Sequence, residues 1–407
     1  MNQFNKVCVI GLGYIGLPTA AIFASRKIKV IGVDINQNIV DIINKGKIHI
    51  VEPGLDILVH MVVNDGYLKA TTLPEEADAF IIAVPTPFKG DNHEPNLDYI
   101  EMASKAIAKV LKKGNLVILE STSPVGITEQ MAKWLAEERS DLSFPHQCGE
   151  VSDIKIAHCP ERVLPGQVIR ELVENDRIIG GMTQKCAEYA IRLYKIFVQG
   201  ECIMTNARTA EMTKLTENSF RDLNIAFANE LSILCDKLDI NVWELIKLAN
   251  RHPRVNILQP GCGVGGHCIA VDPWFIVYQN PNEAKIIKTA REVNDNKPNF
   301  VVQKIKKKIK DILGPKIACL GLAFKPDIDD LRESPALDIV IKLASENASQ
   351  ILVVEPNIKQ LPLKLQNKRN IKLVCLSQAL DEADVVAVLV RHKEFIEVQS
   401  DKVVSFC

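Results

Sequence analysis

The stretch Pro260-Gly-Cys-Gly-Val-Gly-Gly-His-Cys-Ile-Ala-Val-Asp-Pro-Trp274 fits four glycines into six residues and then presents Cys268, with Asp272 four positions on. Glycine costs backbone order, so this density marks a close approach of backbone to a ligand or nucleophile. A thiol there is a candidate nucleophile whose acidity is set locally. The other ten of the eleven cysteines read as small buried hydrophobes. Cys262, His267 and Cys268 fit no common zinc spacing, and no Cys-x-x-Cys occurs, so no metal is expected. Lys214 and Asn218 stand four apart in a helical pattern, hence on one face and about 5–6 Å apart at Cβ. With Glu211 and Glu217 nearby, a solvated charged helix is the plainer alternative. Cys159-Pro160-Glu161-Arg162-Val-Leu-Pro165-Gly166 carries both charge signs between two prolines, as a site loop or a surface turn.

A second signal lies at the start. Gly11-Leu-Gly13-Tyr-Ile-Gly16 follows the apolar run Lys6–Ile10 and opens a helical pattern. The first glycine permits the tight turn, the second lets backbone approach a pyrophosphate, and the third lets helix pack on strand. The helix N-terminus adds N–H groups for phosphate. Asp34 follows Gly16 by 18 residues and ends the next strand, where a carboxylate binds a ribose 2′-hydroxyl and repels a 2′-phosphate. NAD rather than NADP is expected. Val84-Pro-Thr-Pro87 and Glu120-Ser-Thr-Ser-Pro-Val-Gly126 also follow strands, so Thr86, Thr122 and Thr128 are candidates to line the cofactor cleft.

These groups must be positioned by strands and helices that the pattern also predicts. Apolar runs bounded by Gly, Pro or an acid read as strands buried on both faces of a parallel sheet: Lys6–Gly11, Val30–Asp34, Glu76–Val84, then Lys316–Gly321, Ile351–Glu355 and Glu382–Val390. Helical patterns cover Leu17–Arg26, Tyr99–Leu111 and Ser334–Ala344. From Thr209 to about Leu238 apolar residues recur at Met212, Leu215, Leu223, Phe227, Leu231 and Leu234 without glycine or proline, predicting one long helix. Further helices are expected at Val242–Ala249, at Ala284–Val293, and over the basic run Lys304–Lys310 with a solvated face. The expected fold is therefore α/β: two Rossmann-like parallel-sheet domains, residues 1–200 and 301–407, joined by a central helical domain, 201–300.

Composition narrows the class. The chain of 407 residues is 47% hydrophobic and 24% charged, which suits folded domains rather than disorder. Forty-nine basic against fifty acidic residues leave no chain-wide field for a polyanion, so nucleic acid is not an expected partner. No apolar stretch of about 18 residues and no leader pattern occurs, and an odd cysteine count suits a reducing compartment, so no membrane span and a cytoplasmic location are expected.

In chain order, the glycine turn, Glu120–Gly126, Pro160-Glu-Arg162, Lys214-Leu-Thr-Glu-Asn218, Gly263–Cys268 and Gly321-Leu-Ala-Phe-Lys325 with Leu331-Arg-Glu-Ser334 resemble the UDP-glucose/GDP-mannose dehydrogenase family over essentially the whole chain. The resemblance implies a four-electron oxidation of a sugar C6 alcohol to a carboxylate, with two NAD and one water. It implies that Cys268 adds to the aldehyde as a thiohemiacetal, which a second hydride transfer converts to a thioester for hydrolysis. It assigns Lys214, Asn218 and Asp272 to the charge network at the alkoxide, and Glu161 with Thr122 to the water. Cofactor contacts carry over to Gly11, Gly13, Tyr14, Ile15, Gly16, Asp34, Thr86, Thr128 and Arg332. Contacts to a UDP-sugar carry over to Arg162, Val163, Lys214, Asn218, Arg221, His252, Arg254, Gly265, Phe324 and Lys325. A homodimer or higher homo-oligomer and a role in envelope polysaccharide synthesis are implied as well.

Within the family, Asn250-Arg-His-Pro-Arg-Val-Asn256 and the His267-Cys268 pair resemble the branch acting on UDP-N-acetyl-D-mannosamine; UDP-glucose or another UDP-hexosamine is the alternative. A one-step 3-hydroxyacid dehydrogenase also uses Lys-x-x-x-Asn but needs neither Cys268 nor a second α/β lobe. An NAD-bound sensor would need only the glycines and Asp34. Two departures from the family pattern stand out. Cys262 replaces a usual proline, which predicts a looser, more oxidation-sensitive loop. Val403-Val-Ser-Phe-Cys407 stops where the family continues with an acid, a base and glycine, which predicts weaker nucleotide binding.

Overall fold

Alternation along the first strand sets the architecture. Val7 and Val9 of β1 (Lys6–Ile10) join one apolar cluster and Cys8 and Ile10 another, so the strand is buried on both faces. The computed structural model describes residues 4–90, 92–164, 166–345, 350–398 and 401–404. Pro165 and Ser405–Cys407, singled out above, lie outside the described residues. The chain divides into two compact units, Met1–Thr216 and Glu217–Cys407.

In the first unit β1 is followed by β2 (Lys29–Val33), β3 (Leu68–Thr71), β4 (Ala79–Ile82) and a short hairpin, β5 (Phe88–Lys89) with β6 (Glu94–Pro95). Then come β7 (Leu116–Leu119), β8 (Lys155–His158), β9 (Arg177–Gly181) and β10 (Cys202–Asn206). The sheet order is β10-β9-β8-β7-β4-β1-β2-β3. Every neighbouring pair is parallel except β8 and β9, so the β9–β10 pair runs against the other six strands. The order reverses between β1 and β4, the crevice where ligands of such sheets bind. Helix Gly16–Ser25 covers one face, and helices Asp98–Ala108 and Ile127–Glu138 the other.

The second unit holds β11 (Lys316–Leu320), β12 (Gln350–Val354), β13 (Ile371–Leu373) and β14 (Val385–Val388) in the all-parallel order β13-β12-β11-β14. It repeats the 3-2-1-4 core of the first sheet. Helix Pro335–Ser345 covers one face with Val301, Val302 and Ile305. Helix Leu376–Glu382 packs on the other.

The long helix runs as expected, over Ala207–Leu238, and two other expectations need correction. The helices expected at Ala284–Val293 and Lys304–Lys310 are one helix, Lys285–Ile309, with Pro298 inside. Proline removes one intrahelical bond, but buried Asn294 and Lys297 bond to Asp222, Asn229 and Ser232 of helix Ala207–Leu238, and those contacts carry the helix through. On the long helix Leu215 is buried, whereas Phe227 and Leu234 are 52% and 45% exposed and Met212 is exposed too. Among the cysteines read as buried, Cys148 and Cys375 are exposed and Cys202 is half-buried. Cys375 N-caps helix Leu376–Glu382, a position that faces solvent.

His158 ends β8 fully buried, with neither ring nitrogen paired among the described residues. Burial pushes it down to about 3, so the folded ring stays neutral where an unfolded one takes a proton. Its contribution is present above the unfolded pKa of about 6.5 and is lost as pH falls toward the folded one. The stability of H158L relative to the native chain should therefore rise by about 1.4 kcal/mol per pH unit below about pH 6. Chemical denaturation at pH 5 and pH 7 measures this.

Candidate active site

The glycine turn has the shape a dinucleotide needs. Gly11 adopts φ +91°, and a Cβ there would lie 2.6 Å from the Ala83 carbonyl oxygen. A Cβ on Gly16 would meet the Gly11 oxygen, so helix and turn are in direct contact. A Cβ on Gly13 would meet nothing within 4 Å, which leaves backbone open to a phosphate. The helix beginning at Gly16 has no side-chain cap, so its N-terminus suits an anion. Asp34 is half-buried, and its oxygens accept from Leu12 N (3.1 Å) and Asn36 N (2.9 Å). Each oxygen keeps acceptor capacity for a ribose hydroxyl. These residues fit NAD.

The neighbouring loops are tied together. Ser121 Oγ donates to the Val84 carbonyl at 2.7 Å, joining the loop after β7 to the loop after β4. Thr86 and Thr122 are half-buried, and the Thr86 hydroxyl is unpaired among the described residues. Thr128 is fully buried instead of lining an open cleft. Its hydroxyl and N–H donate to Glu211 Oε1 at 2.6 and 2.7 Å, and Gly126 N donates to Glu211 Oε2 at 2.6 Å. Glu211 thus caps helix Ile127–Glu138 and anchors the loop carrying Thr122. It is 1% exposed, not part of a solvated face, and burial pushes its carboxyl up. Lys214 lies one turn further along the same helix, half-buried.

The Glu161 loop is pinned at both ends. Arg177 Nη2 donates to Glu161 Oε2 at 2.7 Å, and Arg162 N donates to Glu161 Oε1. Buried Glu52 accepts from Gly166 N and Val168 N. Val163 packs on the first apolar cluster, and Arg162 Nη1 donates to the Asp176 carbonyl at 3.3 Å.

In the second unit Asn218 Nδ2 donates to Asp272 Oδ2 at 2.5 Å, with both residues buried. Asp272 N in turn donates to the Cys268 carbonyl at 2.8 Å, so the half-buried thiol residue leads straight into helix Asp272–Gln279. The base of this loop is held from below. Asn229 accepts from Gly261 N at 2.8 Å and donates to Asn294, which bonds Asp222, itself paired with buried Arg291 at 2.5 Å. Burial pushes Asp222 up.

The glycines of this loop answer to protein rather than to open space. A Cβ on Gly265 would lie 2.4 Å from the Glu333 oxygen and 2.8 Å from Phe324 Cβ. Gly266, at φ +84°, has the Phe324 ring against it, and its N–H donates to the Arg332 carbonyl. Cys262 is buried, and its thiol donates to the Leu389 carbonyl. That seating gives a packed loop, not the looser, oxidation-prone one expected. Arg332 forks onto Asp330 at 2.6–3.0 Å. Arg221, His252, Arg254 and Lys325 are exposed.

Sequence reasoning missed Glu52, Glu120, Arg177 and Tyr194, and weighed Glu211 only as part of an alternative, solvated helix face. The available signal was an acid three residues before Lys214 with small residues around it, Thr209-Ala-Glu211-Met.

An open glycine turn with a half-buried acid at the end of the next strand, a thiol residue in a packed glycine loop and a second sheet of the same strand order suit a nucleotide-dependent dehydrogenase. Residues 5–198 match the NAD binding domain of the UDP-glucose/GDP-mannose dehydrogenase family, 208–296 its central domain and 318–406 its UDP binding domain. The chain belongs to this family and is an NAD-dependent UDP-sugar dehydrogenase. It is 64% identical to the UDP-N-acetyl-D-mannosamine dehydrogenase of Salmonella typhimurium over 98% of this chain and 97% of that one. It is 63% identical to the NDP-N-acetyl-D-galactosaminuronic acid dehydrogenase of Ralstonia nicotianae over 99% and 94%. The solved UDP-N-acetyl-mannosamine dehydrogenase of Staphylococcus aureus superposes with a TM-score of 0.84 at 44% identity, over 98% and 92% of the two chains. Among the described residues no helix is long and apolar enough to cross a membrane.

Glu211 offers a direct test. In E211Q an amide NH₂ replaces one acceptor oxygen and leaves a buried N–H at Gly126 or Thr128 unpaired. A loss of about 1–3 kcal/mol in stability is expected, with a raised KM for NAD. Unchanged unfolding and unchanged KM would show that these bonds do not hold the loop.

Proposed function

We propose that the chain oxidises UDP-N-acetyl-D-mannosamine at C6 to UDP-N-acetyl-D-mannosaminuronate, through a covalent intermediate on Cys268. NAD, when bound, accepts a hydride in each of the two oxidations. The observation that carries the reading is the fixed chain from Asn218 through Asp272 to the backbone of Cys268. It holds an amide, a carboxylate and a thiol residue in one constrained arrangement, which a single oxidation would not need. Lys214 stabilises the alkoxide as a cation, and Asn218, oriented by Asp272, donates to the same oxygen. Cys268 sulfur adds to the aldehyde carbon, so the bound sugar again carries a hydroxyl on a tetrahedral carbon. Glu161, with Thr122, takes a proton from the water that hydrolyses the resulting thioester.

The remaining assignments follow the same reading. Gly11, Gly13, Tyr14, Ile15, Gly16, Asp34, Thr86 and Arg332 serve the cofactor, while Thr128 acts only through Glu211 on the course of its loop. Arg162, Arg221, His252, Arg254 and Lys325 supply the positive charge and hydrogen bonds a nucleoside diphosphate requires. Val163, Gly265 and Phe324 shape its apolar surroundings. Residues 1–200 take the cofactor, 201–300 the reacting groups and subunit contacts, and 301–407 the nucleotide. The product serves envelope polysaccharide synthesis from the cytoplasm.

Relatives of nearly equal identity carry different sugar names, so identity alone does not choose the sugar. A galactosamine-type UDP-hexosamine is the second reading, supported by the Ralstonia relative. A purified-enzyme panel of UDP-N-acetyl-D-mannosamine, UDP-N-acetyl-D-galactosamine and UDP-glucose decides. Two NADH per sugar, with highest kcat/KM on the first, is expected; a higher value on another sugar overturns the assignment. C268S should lower uronate formation by about a thousandfold or more while NAD still binds. Uronate formed by C268S at the native rate would remove the thioester.

A homodimer is proposed from the long helix. Phe220, Phe227 and Leu234 recur every seven residues along it at 68%, 52% and 45% exposure, and Leu238 extends the stripe. That is a face to bury against a second copy. Light scattering should show a dimer for the native chain and a monomer for F220E/F227E. A monomeric native chain would refute the interface.

A further inference from the structure

The mixed sheet of the first unit places a cation opposite the proposed water-activating acid. β8 and β9 are antiparallel with Ala157 opposite Gly181 and His158 opposite Gly180. Continued past the strand ends, that register sets Glu161 opposite Arg177, the first residue of β9. Had β9 run parallel to β8, Arg177 would lie at the far edge of the sheet.

Arg177 is 4% exposed and gripped from several sides. Its Nη1 donates to Glu120 Oε1 at 3.2 Å and to Cys159 Sγ at 3.6 Å, and its Nη2 donates to Glu161 Oε2 at 2.7 Å. Its guanidinium lies 4.6 Å from the centre of the Tyr194 ring, and Tyr194 Oη donates to Glu120 Oε1 at 3.1 Å. Glu120 immediately precedes Ser121-Thr122, so one buried cluster joins the two loops assigned to the water. Two carboxylates share one guanidinium here, and Glu120 Oε2 is buried and unpaired among the described residues. Burial pushes Glu120 up to about 7 in spite of Arg177, so this carboxyl is the one that yields its charge. The cation is left to Glu161.

We propose that Arg177, held by Glu120 and Tyr194, is a positioning residue that sets Glu161 for the hydrolytic half of the reaction. The inference rests on the reading of Glu161 given above. In that step the water oxygen bonds to the thioester carbon and one water proton passes to a Glu161 oxygen. The carbon–sulfur bond then breaks with its electron pair on sulfur, and the proton returns to the thiolate. Arg177 Nη2 on Oε2 and Arg162 N on Oε1 fix the plane of the Glu161 carboxylate, and each oxygen keeps a lone pair for the water proton. The planar guanidinium can do this because its other prong is tied to Glu120. Lysine, a point charge, cannot.

The test mixes enzyme, UDP-N-acetyl-D-mannosamine and NAD, follows NADH, and weighs the intact protein. R177K should give a burst of two NADH per site, then a steady rate lowered about tenfold or more, with a UDP-sugar acyl adduct that C268S abolishes. A steady rate equal to the native one, or burst and steady rate lowered together without adduct, overturns the proposal. E161Q separates the premise: an adduct in E161Q but not in R177K sinks the role of Arg177 alone, and no adduct in E161Q sinks the reading of Glu161. E120Q keeps an acceptor oxygen for Arg177 and Tyr194 and changes no charge where Glu120 is already protonated, so its steady rate below about pH 6 should match the native one. If R177K is recovered unfolded, E120A, which removes the acceptor that holds Arg177, decides: a burst followed by a lowered steady rate with adduct is expected, and a steady rate equal to the native one overturns the proposal.

Discussion

A buried carboxylate must find donors, and in this protein the donors are backbone N–H groups of the loops that follow parallel strands. Glu211 takes Gly126 and Thr128, Glu52 takes Gly166 and Val168, and Glu355 takes Leu322 and Ala323. In each case a loop that follows a parallel strand gains a fixed course from one acid lying elsewhere in the sequence. A hydrogen bond to a charged group contributes about 1.5–3 kcal/mol, enough to hold a segment that has few apolar contacts of its own. Loops at the carboxyl ends of strands can therefore be both exposed enough to bind and rigid enough to react.

The two sheets use the same device to different ends. In the first, Asp34 follows β2 and bonds the turn after β1, yet it remains half-buried with acceptor capacity left over. In the second, Glu355 follows β12 and bonds the equivalent turn, but it is 4% exposed, and His392 Nε2 and Asn357 complete its shell. The longer side chain reaches inward and is consumed by protein. His392 Nδ1 is likewise taken by Asp327 N at 2.9 Å, so its grouping with Asp327 and Glu394 reads as a structural clasp rather than a cation site. One repeat keeps a ribose-type acid on offer and the other has closed it.

Much of this was legible in the sequence because apolar runs and glycine spacing report local constraints. β1, β4, β11 and β14 fall within the runs that predicted them, and β2 and β12 begin one residue before theirs, since strands buried on both faces leave continuous apolar signatures. The orientation of β9 was not legible, because Arg177-Ile-Ile-Gly-Gly181 has the same pattern in either direction. Pro298 looked like a helix end because proline is judged locally, whereas Asn294 and Lys297 are held by tertiary bonds. Glu211 and Arg177 escaped for a related reason. A charged residue reads as surface until its partner, 83 residues away for Thr128 and Glu211 or 57 for Glu120 and Arg177, is known. The glycines around Cys268 answer to a cause that local pattern does not show: they admit Phe324, Glu333 and Pro335.

That last packing has a mechanical meaning. With no side chain between them, the thiol loop and the strip from Phe324 to Pro335 behave as one stiff piece, keyed at Gly265 and bolted by the Gly266–Arg332 bond. A force on the strip is therefore passed as a body to the backbone that carries Cys268, and the thiol residue is held in place by packing rather than by its own side chain.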